Sequence, residues 1–193
     1  FFILLGVVCA AVAVLYMSGI IGIGRLTAKS RVPKILLPAC GGLSVGIVAL
    51  LFPQVIGVGY ETTNLALSGG FGTSILLLIA IVVAKTLASS ISLGCGFGGG
   101  VFSPSLCIGA LCGAAFGLSI GHLFPGLNVN PNAYSVVGMG AVAGAVLGAP
   151  ISTFLIIFEL TGNFGLTVAV MLSTTVSSLI VRQIVGHSLF TWQ

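Results

Sequence analysis

Residues 94–104 read Gly94-Cys95-Gly96-Phe97-Gly98-Gly99-Gly100-Val101-Phe102-Ser103-Pro104, and they break one apolar run and open another. A glycine-rich break between hydrophobic helices frees backbone N–H groups where no bulk water can satisfy them, so it needs a use. The chemistry on offer is anion binding by the main chain. Pro104 suits the first turn of a helix, where its missing N–H costs nothing, and Ser103 is a candidate N-cap. The amides of Val101 and Phe102 would then point outwards from a helix start. Such a start carries about half a positive charge with unpaired donors. It attracts an anion weakly enough to release it, which suits a pathway better than a lysine does. Gly99 and Gly100, with Gly98, let an ion come close to the backbone.

Other residues with chemical potential are few. Lys85 lies within an apolar run, where a basic group costs roughly 2.5–3.5 kcal/mol. Two readings stay open for it: a lysine bonded to helix-end carbonyls, or a charge drawing anions into a vestibule. Glu159 is the acid within an apolar segment, and its place near a helix end favours a partly hydrated structural carboxylate over a proton relay. His122 and His187 fall near helix ends and read as interfacial. Cys9, Cys40, Cys95, Cys107 and Cys112 are scattered in apolar or glycine-rich context as small packing residues, and Cys107 and Cys112 lack a metal-ligand spacing. No metal or cofactor is expected.

Two motifs match enzyme signatures in form only. Gly94 to Gly99 fits GxGxxG, but a dinucleotide site needs a preceding strand and an acidic residue about twenty positions on, and Ser119-Ile120 stand there. Gly42-Leu43-Ser44-Val45-Gly46 fits GxSxG within an apolar helix, without the strand that a nucleophile elbow needs.

Composition sets the solvent. Of 193 residues, 58% are hydrophobic and 4% charged, and the mean hydropathy is +1.30. Six basic and two acidic residues cannot cover a water-facing surface, so the chain is an all-helical, multi-pass integral membrane protein. The net charge of +4 comes mainly from a loop holding Arg25, Lys29, Arg31 and Lys34, which fits lipid headgroups and not nucleic acid. Phe1 opens inside a hydrophobic run without a basic leader or cleavage site, so residues 1–193 are expected to be one transmembrane region from a longer chain.

Pattern and breakers predict apolar segments over Phe1–Ile23, Ile35–Phe52, Thr73–Leu93, Ser105–Leu123 and Phe164–Val185. Between them fall a short helix at Thr62–Leu67 with Glu61 at its start, and two short helices in tandem, Tyr134–Leu147 and Ile151–Leu160. Paired short helices with Gly/Pro interruptions mark the binding region of transporters built from broken helices. His187–Gln193 reads as the beginning of a further helix. Glycines at four-residue spacing, Gly109/Gly113/Gly117 and Gly140/Gly144/Gly148, predict close helix packing.

Residues 94–113, GCGFGGGVFSPSLCIGALCG, resemble the GxFxP region of the CLC chloride channels and chloride/proton antiporters. Residues 138–163, GMGAVAGAVLGAPISTFLIIFELTGN, are similar to the family's next characteristic block, and GVGYETTN precedes both in the expected order. The resemblance covers essentially the whole chain and implies the C-terminal half of a CLC membrane domain. That fold is an inverted repeat of tilted and partial helices, its helix N-termini converging on an anion near mid-membrane. It also implies Val101 and Phe102 amides as central anion ligands, and a homodimer formed through 151–160 and 164–185. The likeness implies a cell-membrane protein that carries chloride-like anions, as a channel or a proton-coupled antiporter, and not an enzyme. Where the family often places an anion-binding tyrosine, this chain has Phe190, whose ring can wall a pathway but donates no hydrogen bond. The family's gating and proton-side glutamates fall in the half that this sequence lacks. Three alternatives are kept: a cation-coupled solute transporter with broken helices and Glu159 as its acid, an intramembrane hydrolase using Ser44 and a histidine, and a purely structural membrane subunit.

Overall fold

Helix α1 occupies Phe2–Lys29 in the computed structural model, continuing past the apolar run expected to end at Ile23. Arg25 and Lys29 therefore belong to its last turns and not to a loop. The helix dipole favours cations there, so the basic residues prolong the helix instead of ending it. The structure describes residues 1–30, 33, 35–70, 72, 74–124, 126 and 129–186. Arg31, Lys34 and the segment His187–Gln193 lie outside the described residues.

The remaining elements are α2 Leu37–Leu51, a 3₁₀ turn at Pro53–Val55, α3 Tyr60–Leu67, α4 Ile75–Gly94, α5 Phe102–Leu123, α6 Pro131–Leu147, α7 Pro150–Thr161 and α8 Phe164–Val185. No strand occurs among the described residues. Helices α1, α4, α5 and α8 are long and apolar enough to cross a membrane. At about 1.5 Å per residue, α7 spans only about 18 Å against a hydrocarbon core of about 30 Å, so it is a partial helix. Gly148, in the left-handed region at φ +68°, ends α6, and Pro150 opens α7 at once. This is the broken-helix pair that the sequence predicted.

Helices α5 and α6 form the centre, with α1, α4 and α8 around them and α7 against α6 and α8. Most of α6 from Tyr134 to Val146 is buried. The glycine stripe of α5 explains the close crossing. A methyl group at Gly109 would strike the Gly138 carbonyl, one at Gly113 would strike the Tyr134 carbonyl, and one at Gly117 would come within 3.0 Å of Pro131 Cα. The α6 stripe behaves differently from its partner. Gly140 and Gly144 receive Val170 and Thr174 of α8, while Gly148 is the turn that ends the helix.

Polar side chains fix the joints. Asn130 caps α6 by accepting from the Asn132 amide at 3.0 Å. Asn163 caps α8 by accepting from the Gly165 and Leu166 amides at 3.0 and 3.2 Å. Ser173 of α8 donates to the Phe2 carbonyl at 2.7 Å, and Thr27 of α1 donates to the Gly94 carbonyl at 2.9 Å. The last contact fastens the end of α4, just before the glycine-rich stretch, to α1.

Candidate anion-binding site

The glycine stretch leaves α4 through a tight helix end. The Cys95, Gly96 and Phe97 amides donate back to Ile91, Leu93 and Ser92 carbonyls, with Gly96 at φ +88°. Residues 98–100 then run without regular structure, exposed, into α5. A Cβ at Gly98 or Gly100 would meet nothing within 4 Å, and at Gly99 only Leu93 at 3.8 Å. The described residues therefore leave the main chain open to an approaching ion over this stretch.

Helix α5 begins a turn earlier than Ser105. Val101 is its N-cap, already helical at φ −77° and ψ −21°, and no side chain caps the end. Ser103 is thus not the N-cap, and it and Pro104 both lie inside the first turn. A proline is tolerated there because its N–H would have had no helical acceptor anyway. The first helical bond runs from the Ser105 amide to the Val101 carbonyl at 3.2 Å. By position, the amides of Val101, Phe102 and Ser103 have no helical acceptor, and an anion is a natural partner for them.

An open cavity of about 520 Å³ lies beside this helix start, lined by Gly98, Gly99, Gly100 and Pro104 on one side and by Ile56, Gly57, Lys85 and Ser89 among others on the remaining walls. Lys85 is 1% exposed. Its ammonium donates to the Val55 and Gly57 carbonyls at 2.8 and 2.9 Å. The first of the two readings left open by the sequence is thus seen, since Lys85 bonds turn-end carbonyls, and the side chain also lines the cavity. The bonds hold the 55–59 loop against α4 and direct it to α5. Gly59, at φ +96°, packs so tightly that a Cβ there would come within 2.9 Å of Cys107 Sγ and 3.4 Å of Lys85 Cε. Tyr60 follows at the start of α3, and its hydroxyl stands 3.5 Å from Ser103 Oγ.

Residues 1–182 match the sequence profile of the family described as Voltage gated chloride channel. The chain belongs to this family, the CLC proteins. It is 33% identical over 183 residues to the Arabidopsis thaliana chloride channel protein CLC-f, covering 88% of this chain and 23% of that one. It is 32% identical over 151 residues to the H(+)/Cl(-) exchange transporter ClcA of Yersinia pestis, covering 78% of this chain and 31% of that one. The fold is similar to the crystal structure of a slow cyanobacterial Cl-/H+ antiporter, with a TM-score of 0.83 at 23% identity over 99% of this chain and 45% of that one. The chain thus spans less than half the length of each of these three proteins.

On this CLC chain Gly99, Gly100, Val101, Phe102, Ser103 and Pro104 lie consecutively at one helix start, with Val101 and not Ser103 as the cap position. Phe190 lies outside the described residues. Ser44 donates to its own helix at the Cys40 carbonyl, 2.9 Å away, so the GxSxG match rests on a hydroxyl committed to local packing. His122 is exposed at the end of α5 with Nδ1 2.9 Å from the Leu118 carbonyl, and Glu159 is exposed on α7. Two features were not located by the sequence: which carbonyls hold Lys85, those of Val55 and Gly57, and the Tyr60 hydroxyl beside Ser103. The paired glycines of Gly57-Val58-Gly59-Tyr60 were the available signal, since both adopt positive φ and glycines in that conformation mark a loop built for close approach.

Proposed function

We propose that this chain is the C-terminal half of a CLC membrane domain, a single transmembrane region that carries chloride or a similar anion across a membrane, as a channel or a chloride/proton antiporter. The observation that carries this reading is the start of α5, where three amides without helical acceptors follow three glycines that no described side chain crowds. An ion leaving water there exchanges part of its hydration for the Val101 and Phe102 amides, and the α5 dipole stabilises its charge. Gly99 and Gly100 admit it to the backbone. Lys85 raises the local anion concentration, but two of its three N–H donors are held by carbonyls. It therefore attracts the ion without gripping it. Transport of this kind makes and breaks no covalent bond, so the protein is a transporter and not an enzyme.

Phe190 would contribute a ring wall to the same pathway. The remaining partner is a second copy of the protein, through 151–160 and 164–185. Helix α8 supports this with an exposed apolar stripe of Phe164, Val168, Met171, Leu172 and Leu179, and α7 adds Ile151, Leu155 and Leu160. Phe158 and Phe164, ring centroids 5.1 Å apart, join the two helices into one surface.

The test is chloride efflux from liposomes carrying the protein at its full natural length, with external pH recorded. Efflux coupled to uphill proton movement identifies an antiporter, and efflux at constant pH identifies a channel or uncoupled exchanger. A folded preparation that moves no anion would overturn the reading of Val101 and Phe102.

A further inference from the structure

The hydroxyls of Tyr60 and Ser103 face each other between the start of α3 and the first turn of α5. Neither has another hydrogen-bond partner among the described residues. Their separation of 3.5 Å is longer than the 2.5–3.0 Å of a direct O–H···O bond, so they are neighbouring donors and not a tight latch. Tyr60 is 68% exposed on this chain; packing does not demand its presence there, and a phenylalanine would fit the same space. What holds it is the loop behind it. Lys85 pins the Val55 and Gly57 carbonyls, and Thr62 donates to the Gln54 carbonyl at 2.9 Å. Thr63 donates to the Gly59 carbonyl at 2.8 Å. A buried lysine and two threonine hydroxyls thus fix the base of Tyr60 while its tip stays unclaimed.

Resting on the anion-site reading above, we propose that Tyr60 and Ser103 form a hydroxyl pair that selects among anions at the approach to the α5 amides. Two O–H groups 3.5 Å apart can turn both protons towards one acceptor, as a hydroxyl hydrogen rotates to suit its partner. Ser103 Oγ sits on the first turn of α5, beside the amides, so an ion held by the pair is one step from the central position. Hydrogen bonds to an ionised acceptor are the strong ones. A small, charge-dense anion such as chloride gains more from them than a large, diffuse one such as thiocyanate. The pair is therefore a specificity filter in series with the amides.

The experiment compares chloride and thiocyanate flux in liposomes for the full-length protein and its Tyr60→Phe, Ser103→Ala and Ser103→Thr variants. A thiocyanate-to-chloride ratio raised roughly 3- to 10-fold in Y60F and in S103A, the worth of one lost hydrogen bond, is the expected result. Ser103→Thr, which keeps the hydroxyl, should return the ratio to that of the unaltered protein. Because both hydroxyls serve one ion, the change in the double variant should be smaller than the product of the two single changes. A ratio that stays constant while flux of both anions falls together would make the pair a structural strut and overturn the proposal. Should Y60F not fold, the two Ser103 variants decide the matter alone. Absence of all anion flux in the unaltered protein is a separate failure, that of the anion-site reading itself.

Discussion

Replacing Lys85 with methionine separates charge from packing at the cavity. The ammonium makes two charge-assisted bonds to carbonyls, at 2.8 and 2.9 Å, each worth about 1.5–3 kcal/mol. Methionine loses them but no longer suffers the roughly 2.5–3.5 kcal/mol of placing a cation in a membrane span. The two effects largely offset, and the expected loss of stability is at most about 3.5 kcal/mol. The loss of attraction is larger in consequence. A sphere with the cavity's 520 Å³ is about 10 Å across, and at an effective dielectric constant near 20 a unit charge attracts an anion over about 10 Å by about 1.7 kcal/mol. That corresponds to a factor of roughly 15–20 in anion occupancy. Chloride flux at sub-saturating chloride should therefore fall by that factor in Lys85→Met, while thermal unfolding in detergent shows a folded protein. Lys85→Arg keeps the charge but presents a planar fork to carbonyls that held a compact ammonium, so it should recover most of the flux without recovering the stability. Flux within twofold of the unaltered protein in Lys85→Met would refute the electrostatic reasoning.

Gly100→Ala places a methyl where nothing lies within 4 Å, so stability should change by less than about 0.5 kcal/mol while flux falls, because the methyl stands where the ion meets the backbone. Equal flux in a folded Gly100→Ala protein would remove the glycine stretch from the pathway. Gly113→Ala is expected to do the opposite: its methyl meets the Tyr134 carbonyl, which cannot move without moving α6, and the strain should cost about 1–3 kcal/mol or more, read as an earlier detergent unfolding midpoint. Val168→Arg on the exposed stripe of α8, where the side chain is 55% exposed, should shift light-scattering mass from dimer to monomer. A persistent dimer would move the interface away from that stripe.

The bundle was legible because the bilayer simplifies the problem. A backbone that must satisfy its own polar groups in hydrocarbon is helical wherever it is apolar, so apolar runs and Gly/Pro breaks located the eight α-helices found among the described residues. Phe164–Val185 matches its predicted limits at both ends. Ends were missed where a weak local signal was misjudged. The basic residues after Ile23 looked like a loop although a helix C-terminus welcomes them, and Ser103-Pro104 looked like a cap although Val101 is already helical. The close approach of α5 and α6 was readable from Gly109, Gly113 and Gly117, but the different uses of Gly140, Gly144 and Gly148 were not, since spacing gives a face and not the neighbour that fills it.

The amide-bearing helix start was determined by the sequence itself, because its residues are consecutive. Glycines remove side chains, a proline removes a donor, and the helix that follows supplies the dipole, all within residues 98–104. What only the tertiary structure decided is the company that start keeps. Lys85 and the carbonyls it binds are about thirty residues apart in the chain, and Tyr60 reaches Ser103 across 43. Local propensity carries no information about such pairs. They arise because α4 and α5 pack side by side, and the 55–59 loop brings its bare carbonyls to the buried Lys85 ammonium that satisfies them.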